Sequence, residues 1–254
     1  MELTTINSMA FKSFFNSIKN VLTDVTMKFA ATGLELVDID EKQKFLINLN
    51  MDASNFEKYA ITKSNIIIGI NVFNFFKSIK SVKTDDTLRI YIQEEDYAHG
   101  IVSHINIQFV NITTKQVKTQ KLKLIEPDAV LLEFPTNLPS SCVVKMGSRE
   151  FQKLIKDQSQ LASVINIKTT DKGLHFLCVG DFSSVETHKP TEFIKAPTDE
   201  IDNMYLTKYL TQAIKSTALS ESVEIYLDQT TPLLLKYDVS NLGTVMFCIA
   251  SLDK

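Results

Sequence analysis

Ile79-Lys80-Ser81, followed by Asp86-Thr87-Leu88-Arg89-Ile90-Tyr91-Ile92, recurs 135 residues later as Ile214-Lys215-Ser216 followed by Glu221-Ser222-Val223-Glu224-Ile225-Tyr226-Leu227. Without a gap, Leu88, Ile90, Tyr91 and Ile92 fall on Val223, Ile225, Tyr226 and Leu227. Both copies read as the end of a helix, a turn, and a strand with alternating apolar side chains. A weaker match, with a few residues inserted, sets residues 11–19 and the strand after Gly33 beside residues 151–156 and the strand after Gly173. Repetition of whole supersecondary units points to duplication and hence to a two-domain chain.

Working outward from these copies, alternation predicts strands over 87–92, 100–109, 142–146, 173–179, 223–227, 233–237 and 244–249, and apolar spacing predicts helices near 9–22, 72–81, 149–158 and 205–216. Two helices per half among many short strands predicts an α+β fold: two similar domains, each with two helices packed on antiparallel sheets. We place the domains at 1–120 and 140–254, joined by a connector over 121–139. Pro127, Pro135 and Pro139 forbid a long helix or a central strand there, and the absence of glycine makes the connector extended and stiff. It nevertheless carries Ala129, Val130, Leu131, Leu132 and Phe134, more apolar surface than a spacer needs.

Composition removes several chemistries. The chain has 254 residues and a net charge of −3, enough length for two domains with real cores. Its longest apolar stretches, such as Ile66-Ile67-Ile68-Gly69-Ile70, are too short to cross a bilayer, so no membrane partner is expected. Seven glycines supply neither phosphate-cradling glycine motif, so nucleotide hydrolysis is not expected. His99, His104, His175 and His188 never pair at helical metal-ligand spacing, and no metal or cofactor is expected. Asp85-Asp86 and Glu94-Glu95-Asp96 read as turns or strand ends, and no nucleophile–base arrangement is visible; the chain is not read as an enzyme. Cys142, Cys178 and Cys248, odd in number and without C-x-x-C, read as buried hydrophobes of a reducing compartment.

Positive charge is segregated. At 100° per residue, Lys12 and Lys19 share one helix face, as do Lys208 and Lys215 with Gln212 between them. Arg149, Lys153, Lys156 and Gln160 form a stripe opposite Phe151, Leu154 and Ile155, while Lys77 and Lys80, with Lys83 just beyond, stand opposite Val72, Phe75 and Ile79. Residues 3–23, 58–84 and 203–220 contain no Asp or Glu in a chain with 30 acids against 27 bases. An acidic protein with basic helix faces repels polyanions generally and attracts one along a chosen surface. All the bases except Arg89 and Arg149 are lysine, a point charge for phosphate rather than a bidentate reader of guanine, so contact is expected to the nucleic-acid backbone without sequence preference.

The segment Ser141-Cys142-Val143-Val144-Lys145-Met146, then Glu150-Phe151, Lys156-Asp157, Asp171-Lys172-Gly173 and Phe176, resembles the proliferating cell nuclear antigen family of eukaryotic DNA sliding clamps. So do residues 30–40 with Gly33, Leu34 and Asp40, Gly69-Ile70-Asn71, Lys77-Ser78-Ile79-Lys80, Tyr209-Leu210, and Pro232-Leu233 through Gly243 to Ala250. The resemblance spans essentially the whole chain. It implies a closed head-to-tail homotrimer around duplex DNA, tethering DNA polymerase and other replication and repair factors as a processivity factor, opened by a clamp loader, in the nucleus or at a viral replication site. Lys12, Lys19, Lys77, Lys80, Arg149, Lys153, Lys156, Lys208 and Lys215 would face the DNA. Ile39, Leu46, Leu132, Phe134, Pro232, Cys248 and Ala250 would form a groove for client peptides that present a short helical turn. The ring contact would pair the strand near 117–121 with that near 178–185. Ser13 and Gln160 stand where the family often has basic residues, Cys248 where it usually has tyrosine, and Asp171, with Lys172 adjacent, where it has a commonly ubiquitinated lysine. The alternative is a monomeric clamp-like processivity factor, or one subunit of a heteromeric checkpoint-type clamp.

Overall fold

The computed structural model describes residues 1–98, 100–128, 130–135 and 139–252. The chain divides into two compact units, the first made of Met1–Asp38, Asn48–Glu133 and Val239–Thr244, the second of Ile39–Ile47, Phe134–Asp238 and the residues from Val245 onward. No helix among the described residues is long and apolar enough to cross a membrane.

In unit 1 an antiparallel sheet runs in the order β11 (Val117–Lys123), β10 (His104–Asn111), β7 (Asp86–Tyr91), β1 (Glu2–Thr5), β5 (Lys58–Ala60). Its register lines up Leu3, Ile90 and Ile107 across three strands, all buried on one face. A second group joins β4 (Phe45–Asp52), β3 (Gly33–Ile39), β2 (Asp24–Ala30) and β6 (Asn65–Asn71). The strand β6 runs directly into helix α2 (Val72–Ile79), whose start is fixed by the Asn71 side chain accepting from Asn74 N at 3.1 Å. Helix α1 (Ser8–Ile18) packs on α2 through Phe15 and Phe75, whose ring centroids are 4.3 Å apart.

Unit 2 repeats the plan. One sheet runs β16 (Phe193–Lys195), β12 (Cys142–Gly147), β18 (Ser222–Leu227), β19 (Leu233–Val239), β20 (Gly243–Ile249), with Val144, Ile225 and Leu235 forming the buried row. The other runs β15 (Ser184–Pro190), β14 (Gly173–Val179), β13 (Val164–Thr170), β17 (Asp202–Leu206). Helices α3 (Ser148–Ser159) and α4 (Thr207–Ala213) bury Phe151, Ile155, Leu210 and Ala213.

The duplication is therefore structural. Val72 opens α2 and Thr207 opens α4, 135 residues apart. Gly33 and Gly173 have φ of +149° and +148°, and an added Cβ would stand 1.9 Å from Met51 O in one copy and 2.1 Å from Lys189 O in the other. Each opens a strand where the neighbouring backbone closes over it, a position only glycine fits.

Boundaries differ from the periodicity where tertiary pairing intervenes. Tyr205 and Leu206, expected in the fourth helix, are drawn into β17 by pairing with β13, and α4 tightens into a 3-10 turn over Ile214–Ala218. The strand expected over 100–109 breaks at Ser103: a two-residue strand, β9 (Ile101–Val102), pairs with β8 (Tyr97–Ala98) before β10 begins. Beside β14 the β13/β14 sheet ends in β15; Cys178 and Val179 belong to β14, the strand inside that edge.

Candidate nucleic-acid interface and partner groove

In unit 1, α1 buries Phe11, Phe14, Phe15 and Ile18 and leaves Lys12 and Lys19 half-exposed. Lys12 Nζ donates to Val82 O at 3.2 Å, and Lys19 Nζ stands 3.8 Å above the Phe76 ring, so both cations of α1 reach α2 or the turn beyond it. Helix α2 buries Val72, Phe75 and Ile79 and exposes Lys77 and Lys80; Lys77 Nζ lies 4.4 Å from the exposed Phe73 ring one turn earlier. The four sequence-chosen lysines of this half thus belong to one packed helix pair.

In unit 2, Arg149, Lys153 and Lys156 are exposed on α3 opposite the buried Phe151 and Ile155, with Leu154 half-buried between the two faces. Lys208 is exposed on α4, its Nζ 4.3 Å from the Tyr209 ring. Arg149, Gln152 and Lys215 line one open depression together with Glu150 and Glu221, and Gln152 Nε2 donates to Ile214 O at 2.9 Å, fixing α3 to the turn that carries Lys215. Of the acids in this depression, Glu150 is engaged by Lys189.

Backbone pairing sets three of the expected groove residues in register. Asp40 N donates to Phe45 O, which sets Ile39 opposite Leu46; Ala250 N donates to Lys44 O, which sets Leu46 opposite Cys248. Directly opposed residues share a sheet face, so Ile39, Leu46 and Cys248 form a row across β3, β4 and β20 within unit 2, while Phe45 and Phe247 stack at 5.6 Å on the opposite face. The turn before β4 hangs on Asp40: its buried carboxylate accepts from Lys44 N and Phe45 N, both at 2.7 Å, and from Tyr209 Oη at 2.8 Å. Burial first, then this carboxylate, pushes the Tyr209 phenol up to about 12. Ala250 follows β20, Pro232 precedes β19 and Phe134 lies in unit 2, whereas Leu132 belongs to unit 1.

The connector is anchored at its start. Ile125 N donates to Gly69 O, and Thr26 and Asp128 exchange hydrogen bonds of 3.0 and 2.9 Å, all in unit 1. Beyond that point Val130, Leu131 and Leu132 are exposed. Ala129 lies outside the described residues, as does His99.

Comparison with known proteins matches residues 1–130 to the proliferating cell nuclear antigen N-terminal domain and residues 136–252 to its C-terminal domain. The chain belongs to the proliferating cell nuclear antigen family. A probable DNA polymerase sliding clamp 1 of Paramecium bursaria Chlorella virus 1 is 28% identical over 98% of this chain and 95% of its own length. The Caenorhabditis elegans proliferating cell nuclear antigen is also 28% identical over the same shares, and the Drosophila melanogaster proliferating cell nuclear antigen 2 is 22% identical over 98% of this chain and 96% of its own.

Two features of this family member escaped the sequence reading. Aromatic rings hold three of the helix cations, a pairing that the one-turn spacing of Phe73 and Lys77 signals but that Lys19 and Phe76, on different helices, does not. His175 and His188 meet across β14 and β15, because the turn after Val179 pairs residues thirteen apart. Search at helical spacing alone misses such pairs.

All three cysteines are buried and free. Burial pushes the thiols of Cys142 and Cys248 up to about 11 and about 12 and raises that of Cys178, so each stays protonated at pH 8 and no thiolate is offered. Ellman's reagent at pH 8 is expected to leave the native chain unmodified over minutes and to titrate three thiols after unfolding in guanidinium. A fast-reacting thiol in the native chain would contradict the burial of these three cysteines.

Proposed function

We propose that three copies of this chain close head to tail into a ring around duplex DNA, and that the ring is a DNA polymerase sliding clamp, the function that family membership carries. The single observation that supports ring closure is an asymmetry within the duplication. Strand β20 pairs with β4: Asp52 N donates to Leu242 O in unit 1 and Ala250 N to Lys44 O in unit 2. Their counterparts, β11 and β15, end their sheets. The pairing made once inside the chain is available a second time between chains, a heterologous contact that forms a closed ring when the rotation per copy is right.

The side chains of these edges suit such a contact. Ile112 and Val117 are exposed beside β11, and Val179, Phe182 and Val185 beside β15, with Phe182 at 92%. Strand β11 adds Lys118, Lys121 and Lys123, and the facing segment holds Asp181 and Glu186.

In the ring, Lys12, Lys19, Lys77, Lys80, Arg149, Lys153, Lys156, Lys208 and Lys215 face the DNA. Lysine contacts to phosphate are weak and independent of sequence, so the ring slides, while its closure keeps a bound polymerase from diffusing away. Ile39, Leu46, Leu132, Phe134, Pro232, Cys248 and Ala250 receive client peptides, with residues 121–139 as the connector between domains 1–120 and 140–254. The chain performs no chemistry; it is a scaffold acting in the nucleus or at a viral replication site, placed on DNA by a clamp loader.

Sedimentation equilibrium is expected to give three times the 28.7 kDa chain mass, and loaded protein to persist on circular DNA but slide off linear DNA of the same sequence. A 28.7 kDa species at micromolar concentration, or equal retention on both DNAs, overturns the ring.

A further inference from the structure

On the face of the β14/β15 hairpin turned away from Leu174, Phe176 and Cys178, three ligand atoms converge. His175 and His188 are directly opposed across the strands, and their rings stack with centroids 4.3 Å apart and planes 11° from parallel. Glu186 lies opposite Leu177, two residues before His188, on the same face. His175 Nε2 is 2.8 Å and His188 Nε2 is 3.3 Å from the same oxygen, Glu186 Oε1.

The chemistry of this contact is incomplete. His175 Nε2 is buried and has no hydrogen-bond partner of acceptable geometry among the described residues, although it stands against a carboxylate oxygen. With its proton on Nδ1, each imidazole turns an Nε2 lone pair toward the carboxylate oxygen, and such a set of three donor atoms is satisfied by a divalent cation. A tetrahedral zinc with bonds of about 2.0 to 2.1 Å holds its ligand atoms about 3.3 Å apart, close to the 2.8 and 3.3 Å found here. The three ligand atoms all lie within 4.8 Å of one another.

The surroundings leave room for positive charge. Lys168, opposite His175 on the other side of β14, is paired with Glu200 at 2.7 Å, and Lys189 is turned to Glu150. By contrast His104, also beside a carboxylate, shares Asp96 with Lys121, whose ammonium is 2.9 Å from that oxygen and already supplies the cation.

We propose that His175, Glu186 and His188 form a surface site for one borderline divalent transition-metal ion of the Zn2+ class, bridging β14 and the edge strand β15 and leaving a fourth coordination position to water. Two imidazoles and one carboxylate favour Zn2+ over Mg2+ or Ca2+, which take oxygen ligands. The buried, protonated thiols do not compete for it. None of the three residues belongs to the lysine rows or the peptide groove; Glu186 and His188 stand on β15, the edge assigned above to the ring contact, so the site is tested by metal binding itself and not by ring closure.

Isothermal titration of the full-length chain with ZnCl2 at pH 7.5, in a non-chelating buffer containing millimolar Mg2+, is expected to show one Zn2+ per chain. His188→Ala, an exposed position, and His175→Ala should each weaken binding at least tenfold, and His104→Ala should leave it unchanged. Zn2+ should raise the thermal midpoint of the wild type and not that of H188A. Because H188A is expected to keep the wild-type urea midpoint, the result does not depend on H175A folding. Absence of stoichiometric Zn2+ binding in the wild type, or undiminished binding by H188A, overturns the proposal.

Discussion

Reversing Lys77, Lys80, Lys208 and Lys215 together to glutamate is expected to weaken binding to a short duplex about a hundredfold at 0.1 M salt, as four surface ion pairs of up to about 1 kcal/mol each are lost and like charge is added. The salt dependence should flatten as well: each lost phosphate contact removes about 0.9 from the slope of log K against log salt, up to about 3.6 for four. The fold should survive. Lys77, Lys80 and Lys208 are exposed, and Lys215 is half-exposed beside Gln212. Lys77 sits in the last turn of α2 and Lys80 caps it, where a cation favours the helix dipole, so their reversal should cost about 1 kcal/mol of stability in all. Fluorescence anisotropy across a salt series, paired with urea unfolding, separates the two effects. Unchanged affinity and slope in a folded variant would show that these helix faces do not meet DNA.

Gly33→Ala and Gly173→Ala should each destabilise the chain by more than about 4 kcal/mol, in the range reserved for backbone conflict or buried unsatisfied groups. The new Cβ would stand 1.9 Å from Met51 O or 2.1 Å from Lys189 O, against backbone that is itself held in a strand, and φ near +149° and +148° is closed to alanine without strain. Gly100→Ala is the matched control. Its φ is +87°, so it carries backbone strain, but nothing lies within 4 Å of an added Cβ. It should cost only about 1 to 2 kcal/mol. Urea midpoints for the three variants give the comparison; equal losses would mean that φ alone, and not the close backbone, makes Gly33 and Gly173 obligatory.

How far the sequence could be read depended on the range of the interaction responsible. The repeat at 135 residues was legible because a helix end and an alternating strand are local patterns, and the structure repeats them from Val72 and Thr207. The lysine stripes were legible for the same reason: helical periodicity alone sorts Lys153 and Lys156 from Phe151 and Ile155. Strands β6 and β17 were less so. A run such as Ile66-Ile67-Ile68 has no alternation to announce a strand, and Leu206 has helical neighbours until β13 claims it. Side-chain exposure was legible only in part, since Lys12 and Lys19 look free on a helical wheel and are in fact engaged by Val82 and Phe76.

Local order along the chain, then, determined which residues form helices, which faces of those helices are basic, and that the whole is built twice. Only the tertiary structure decided that Ile39, Leu46 and Cys248 stand in one row, that β11 and β15 each end a sheet while β20 and β4 pair, and that His175 meets His188 and Glu186. The reason is physical: helical periodicity is set by neighbours three and four residues apart, whereas strand neighbours are chosen by backbone hydrogen bonds between segments whose separation no local pattern encodes.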